Sequence, residues 1–125
     1  MALIGAGYST TATAAGDFDI EEKNVSGEIL ASDLNTIITV DSAVPVVLNL
    51  CAATVGRKGK WVEIRKLGVG NITLNADGTD TIADSAGGGS IVNTEAAETW
   101  AFLILKIDKT GHWGLGPMLG SWETS

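Results

Sequence analysis

The chain has 125 residues, 45% of them hydrophobic, and its 15 acidic side chains outweigh 8 basic ones for a formal charge of −7. That length suits one domain able to bury roughly two-thirds of its unfolded surface. The acidic balance repels phosphate backbones and argues against nucleic acid as a partner, and the lone Cys51 excludes an intrachain disulfide scaffold.

The N-terminal MALIGAG has no basic segment and no long apolar run, so no signal peptide is expected. Residues 9–15, STTATAA, are small and aperiodic. Asp17, Asp19, Glu21 and Glu22 follow, broken by Phe18 and Ile20, which suit a short strand. Residues 1–35 therefore read as an extended N-terminal arm or edge segment beside a domain at 36–115, with a C-terminal tail at 116–125. Glycine (16 residues), threonine, valine and isoleucine are frequent, and no long stretch favours helix.

From Thr36 the strand signals recur: 37–40, then 44–50, with Pro45 suited to a strand start or an edge. The longest apolar stretch, 43–55, contains Pro45 and Asn49 and is too short to span a bilayer, so a soluble chain without a membrane partner is expected. Cys51 lies in VVLNLCAA and reads as a buried inert thiol rather than a nucleophile. Residues 60–75 organise the rest. Val62 and Ile64 alternate with Trp61, Glu63 and Arg65, and Ile72 and Leu74 alternate with Thr73 and Asn75. Gly68 and Gly70 lie between them and suit the positive φ of a tight reversal, so a β-hairpin with one apolar face is predicted. Arg57, Lys58, Lys60, Arg65 and Lys66 form a basic cluster, read as a solvated loop and strand face.

Asn75-Ala-Asp-Gly marks a turn, and strands are predicted at 79–82, 90–93, 99–107 and 112–115, the last pair joined by Asp108-Lys-Thr-Gly. Short strands at this spacing predict an all-β fold, an antiparallel β-sandwich or a jelly-roll-like small barrel. WAFLIL, 100–105, is apolar on both faces, whereas a sandwich strand normally shows one face to water. A second cover is therefore needed, and self-association is expected. The expected interface comprises Trp61, Trp100 and Phe102, with Leu3, Ile4, Phe18 and Ile20 from the arm.

Chemistry-bearing residues are sparse. His112 adjoins Gly111 and reads as a solvated turn residue. Asp77, Asp80 and Asp84 with Asn75 lack the loop length and terminal Glu of a calcium-binding loop, and turn chemistry explains them. Gly68-x-Gly70 lacks the third glycine and the helix of a dinucleotide site. No catalytic residue, cofactor or metal is expected.

The segments GKWVEIRKLGVGNITLNADGTDTI and ETWAFLILKIDKTGHWGL together resemble the small β-sandwich domains of tailed-bacteriophage structural proteins, of the head-decoration (cement), head-fibre or tail-fibre type. The matching positions are Gly59, Lys60, Ile64, Gly68, Gly70, Ile72, Leu74, Gly78, Ile82, Gly111 and Trp113, and the match covers roughly residues 37–115. The resemblance implies a non-enzymatic virion protein, made in the host cytoplasm and placed on the capsid surface. It would commonly be a homotrimer, partnered by the major capsid protein or another virion protein. Head decoration is expected over a tail fibre, because the chain begins with its own Met, has no heptad or collagen-like shaft, and carries an arm suited to docking. A tail-fibre or tail-tip module for host glycans would instead need an exposed aromatic platform, with Trp113 and Trp122 as candidates.

Overall fold

Period-2 alternation sends Thr36, Ile38 and Val40 inward and Ile37 and Thr39 outward, and the same logic recurs down the chain. The computed structural model describes residues 19–125. Its strands are β1 (Ile20–Glu22), β2 (Gly27–Ile29), β3 (Thr36–Val40), β4 (Val46–Leu50), β5 (Trp61–Lys66), β6 (Ile72–Asn75), β7 (Thr81–Ile82), β8 (Ser90–Asn93), β9 (Phe102–Lys109), β10 (His112–Leu119) and β11 (Trp122–Thr124). Short 3-10 turns occupy Ala31–Asp33 and Val55–Arg57. The strands form two packed sheets, one six-stranded in the order β1-β3-β5-β9-β10-β7 and one five-stranded in the order β11-β8-β6-β4-β2. The chain is thus the expected all-β sandwich. Its sheets are mixed rather than wholly antiparallel: β1, β3 and β5 run parallel, as do β2, β4 and β6, and as do β7 and β10.

The parallel runs arise because the chain crosses from one sheet to the other at almost every corner. This corrects the predicted hairpin at residues 60–75. β5 pairs with β3 and β9, and β6 pairs with β4 and β8; they never pair with each other. The same sequence offset relates Thr36 to Val62 and Val46 to Ile72, so β5–β6 lies on β3–β4 as one coil on another. Val62, Ile64, Ile72 and Leu74 do share one core, fully buried, but they enter it from opposite sheets.

Gly68 and Gly70 also differ in role from expectation. Neither has a positive φ, in contrast to Gly78 and Gly111 in the predicted turns. A Cβ on Gly68 would overlap the Ser42 backbone, and one on Gly70 would overlap the Val44 carbonyl. They are glycines because two corners touch. Hydrogen bonds from Leu67 N to Val40 O (2.9 Å), Gly70 N to Ser42 O (2.8 Å) and Val46 N to Asn71 O (2.9 Å) carry the ladder around the bend.

Within the segment read as an arm or edge segment, residues 20–29 supply β1 and β2, edge strands that extend the two sheets beside β3 and β4. Each is three residues long, too short for a period to stand out, but Ile29 is buried in the core. The C-terminal tail is likewise part of the sandwich. β10 continues to Leu119, with Pro117 inside the register break between Leu115 and Met118, where no ladder bond is required of it. β11 then closes on β8. Residues 1–18, with Leu3, Ile4 and Phe18, lie outside the described residues.

Candidate interface surface

The predicted chemical residues are tied into structure. The Ala53 amide donates to Asp80 (2.8 Å), Thr124 Oγ1 donates to Asp84, and Asn75 Nδ2 donates to Asn49 Oδ1 (3.1 Å). Asp77 and Asp80 bracket one turn, with Asp80 N donating to Asp77 O (2.8 Å), and Asp84 lies in the next; no group of three metal-ligating side chains forms among the described residues. Cys51 is half-buried against the core, and burial pushes its thiol pKa up while the Arg57 charge opposes this.

The basic cluster is dispersed. Arg57 donates to the Ala52 carbonyl (2.7 Å), and Arg65 lies on the outer face of β5. Lys66 is the correction: it is 1% exposed, not solvated. Parity explains this, since Lys66 points the same way as Ile64. Its Nζ donates to the carbonyls of Gly70 (2.8 Å) and Val69 (3.4 Å), and burial lowers its pKa while Glu98 opposes that shift. Glu98 went unnoticed in the sequence. Its carboxylate accepts from Ser121 N (2.8 Å), Ser121 Oγ (2.8 Å) and Asn93 Nδ2 (3.0 Å), joining the 95–101 segment to the β10–β11 corner. These bonds, the Ser121 amide first, hold its pKa down. No sequence motif marks this network.

His112 is not a solvated turn residue. Its Nδ1 lies 2.7 Å from Asp108 Oδ1 and its Nε2 lies 2.9 Å from the carbonyl of Ala83, a residue at φ 52°. Both neighbours are acceptors, so both contacts are hydrogen bonds when the two ring nitrogens carry protons, which favours the charged form of the ring. The Asp108 bond, then the Ala83 carbonyl, raises the His112 pKa, and His112 lowers that of Asp108. A raised folded-state pKa stabilises the fold below the unfolded value of about 6.5, and this contribution disappears as pH rises through the folded value. Because Asp108 is half exposed, the contribution is about 1 kcal/mol or less. Wild type is therefore expected to lose its thermal-stability advantage over His112→Gln as pH rises above about 6.5. Melting both proteins from pH 5 to 9 checks this, and a constant gap would refute it.

The two outer faces of the sandwich differ in kind. On the five-stranded sheet, Glu28, Asn49, Asn75 and Ser90 lie in register, and Asn49 Nδ2 donates to Glu28 Oε2 (2.9 Å). The next outward row, Val47, Thr73, Val92 and Glu123, is mixed, so polar side chains predominate on this face without filling it. On the six-stranded sheet, register aligns Ile20, Ile37, Glu63 and Ile104 across four strands, with Trp61 and Phe102 on the same side by parity. Glu63 is buried there and pairs with Arg65, whose guanidinium sits 5.3 Å from the Phe102 ring centre. Glu22, Lys106 and Asp108 lie on this side by the same parity, so the apolar row is flanked by charged side chains, and only its centre, where Glu63 and Arg65 neutralise each other, can be covered at little electrostatic cost.

Of the expected interface residues, the fold brings Ile20, Trp61 and Phe102 onto this one face. Trp100 is exposed but lies in the segment before β9, at one end of the sandwich. The aromatic platform expected of a glycan-binding module is not formed by Trp113 and Trp122, which are both buried. No helix is long and apolar enough to cross a membrane among the described residues. In comparisons with known proteins, the chain matched no family model and no curated protein.

Proposed function

We propose that this chain is a non-enzymatic structural protein of a tailed-phage virion, a head decoration protein that covers and strengthens the shell as a homotrimer. The observation that carries the reading is the apolar row on the outer face of the six-stranded sheet, Ile20, Ile37 and Ile104 with Trp61 and Phe102 beside it. The resemblance of residues 37–115 to phage β domains supports the same reading. In this scheme the outer face around Ile20 and Ile104 lies on the major capsid protein or another virion protein, and residues 1–18 add to the contact. Repeated weak contacts, one from each subunit of a symmetric oligomer, multiply through effective concentration. Trp113 and Trp122, the candidates for the exposed platform that a glycan-binding tail module would need, are buried.

Co-sedimentation with undecorated heads tests this. Wild type should pellet with heads and raise their resistance to heat. Ile20→Asp should bind at least about tenfold more weakly, and deletion of residues 1–18 should also weaken binding. Full binding by both variants, or none by wild type, would reject the reading.

A further inference from the structure

Lys66 and Asn93 are polar side chains inside an aliphatic core, and they enter it from opposite sheets. Lys66 is 1% exposed and ends the inward row Val62, Ile64, Lys66 of β5; Asn93 is 0% exposed and follows Ile91 inward on β8. Both lie at the end of the sandwich closed by segments 67–71 and 94–101. The register of β6 with β8 carries Asn93 alongside Ile72, two residues from the Gly70 carbonyl that holds Lys66 Nζ at 2.8 Å. Packed sheets lie about 10 Å apart, a gap that a lysine and an asparagine side chain reaching from opposite walls together span.

Neither side chain is fully matched there. The Lys66 ammonium meets two neutral carbonyls, those of Gly70 and Val69 (3.4 Å), so its charge is buried without a carboxylate in contact. Asn93 Nδ2 donates to Glu98 Oε1 (3.0 Å) and to the Ser121 carbonyl (3.1 Å), but its Oδ1 is buried with no hydrogen-bond partner among the described residues. The carbonyl side of this carboxamide is therefore open to an approaching donor. Buried groups left in this state cost stability and call for an explanation. Burial lowers the Lys66 pKa, which favours the free amine, a nucleophile, and the opposing effect of Glu98 places that carboxylate within electrostatic reach of Nζ. A lysine amine, a carboxamide carbon and a carboxylate bonded to the carboxamide nitrogen are the components of an amide exchange.

We propose that Lys66 and Asn93 join spontaneously in the folded chain, forming an isopeptide bond between Nζ and Cγ with Glu98 as the proton carrier. Nζ turns from the long Val69 contact and attacks Cγ as the neutral amine. The Nζ–Cγ bond forms, the Cγ–Nδ2 bond breaks, and Nδ2 departs as ammonia. Glu98, in contact with Nδ2, takes the proton released by Nζ and delivers it to the leaving nitrogen. One amine and one carboxamide thus give one secondary amide and one ammonia; nothing is oxidised or reduced, and no co-reactant is consumed. The product has no buried ammonium, and the single N–H left on Nζ suits the Gly70 carbonyl. Losing Nδ2 orphans no acceptor, because Ser121 O keeps the Thr94 amide (2.9 Å) and hydroxyl (3.4 Å), and Glu98 keeps both Ser121 donors. The bond ties β5 to β8, one strand from each sheet. It forms once per chain and is independent of the proposed function.

Mass spectrometry of the folded full chain tests this. Wild type should be one ammonia lighter than its sequence requires, whereas Lys66→Met and Asn93→Ala should have their full sequence masses. Digestion at basic residues and at aspartate should release the segments holding Lys66 and Asn93 as one joined peptide, although Asp77, Asp80 and Asp84 lie between them. In a time course after synthesis, Glu98→Gln should form the bond at least about a hundredfold more slowly. Should that variant not fold, the wild-type peptide map alone decides. A wild-type chain of full sequence mass, an ammonia lost at another residue, or no joined peptide would overturn the proposal. Linkage of Glu98→Gln at the wild-type rate would overturn the role given to Glu98.

Discussion

Ile64→Asp is expected to abolish cooperative unfolding, leaving a chain without a native baseline. Ile64 is fully buried on β5, in register with Ile38 and Leu103, which are themselves fully buried. Replacing it loses about 2–3 kcal/mol of apolar burial and places a carboxylate where the surrounding core is aliphatic. An unpaired buried charge costs several kcal/mol more, even after its pKa has risen to keep it protonated. Together these approach the whole stability of an ordinary domain, about 5–15 kcal/mol. Thr73→Asp places the same group on the outer, polar face of β6 and should cost about 1 kcal/mol or less. Thermal unfolding followed by circular dichroism separates the two, and equal losses would refute the assignment of faces.

Gly70→Ala should also be clearly destabilising, although it adds one methyl group. The new Cβ would overlap the Val44 carbonyl, and the backbone cannot yield easily. Gly70 N is bonded to Ser42 O, and Gly70 O accepts from the buried Lys66. Overpacking of this kind costs about 1–3 kcal/mol and sometimes more. The choice of replacement separates close approach from turn conformation. Were Gly70 a positive-φ turn residue, Asn would be tolerated better than Ala. For two touching corners, Asn is larger and should be worse. Gly27, with open space around its Cβ position and no positive φ, should accept Ala with little change. Denaturant midpoints of the three variants measure this, and Gly70→Asn more stable than Gly70→Ala would refute the corner contact.

The strands between residues 36 and 115 were legible because alternation marks faces, and Pro45 and the turns Asn75-Ala-Asp-Gly and Asp108-Lys-Thr-Gly mark ends. Alternation does not reveal partners. Val62, Ile64, Ile72 and Leu74 display the same pattern whether their strands pair in a hairpin or face each other across a core. The distinguishing signal was the length of the segments. The stretch from Thr36 to Asn49 maps without insertion onto that from Val62 to Asn75, as stacked coils require. β2 was hidden by brevity, and Lys66 by the habit of placing lysine in water against the parity of its own strand. His112 and Asp108 were adjacent on a predicted hairpin, so their pairing was within reach; the Ala83 carbonyl was not, because it arrives through the parallel β7–β10 pair. Part of the candidate surface was legible from the doubly apolar β9.

The proposed function is tested most directly by locating this protein on purified virions by electron microscopy with a specific label. The predicted result is label distributed over the head, in positions related by the local three-fold symmetry of the shell. Label confined to the tail tip, or no label on the particle, would contradict it.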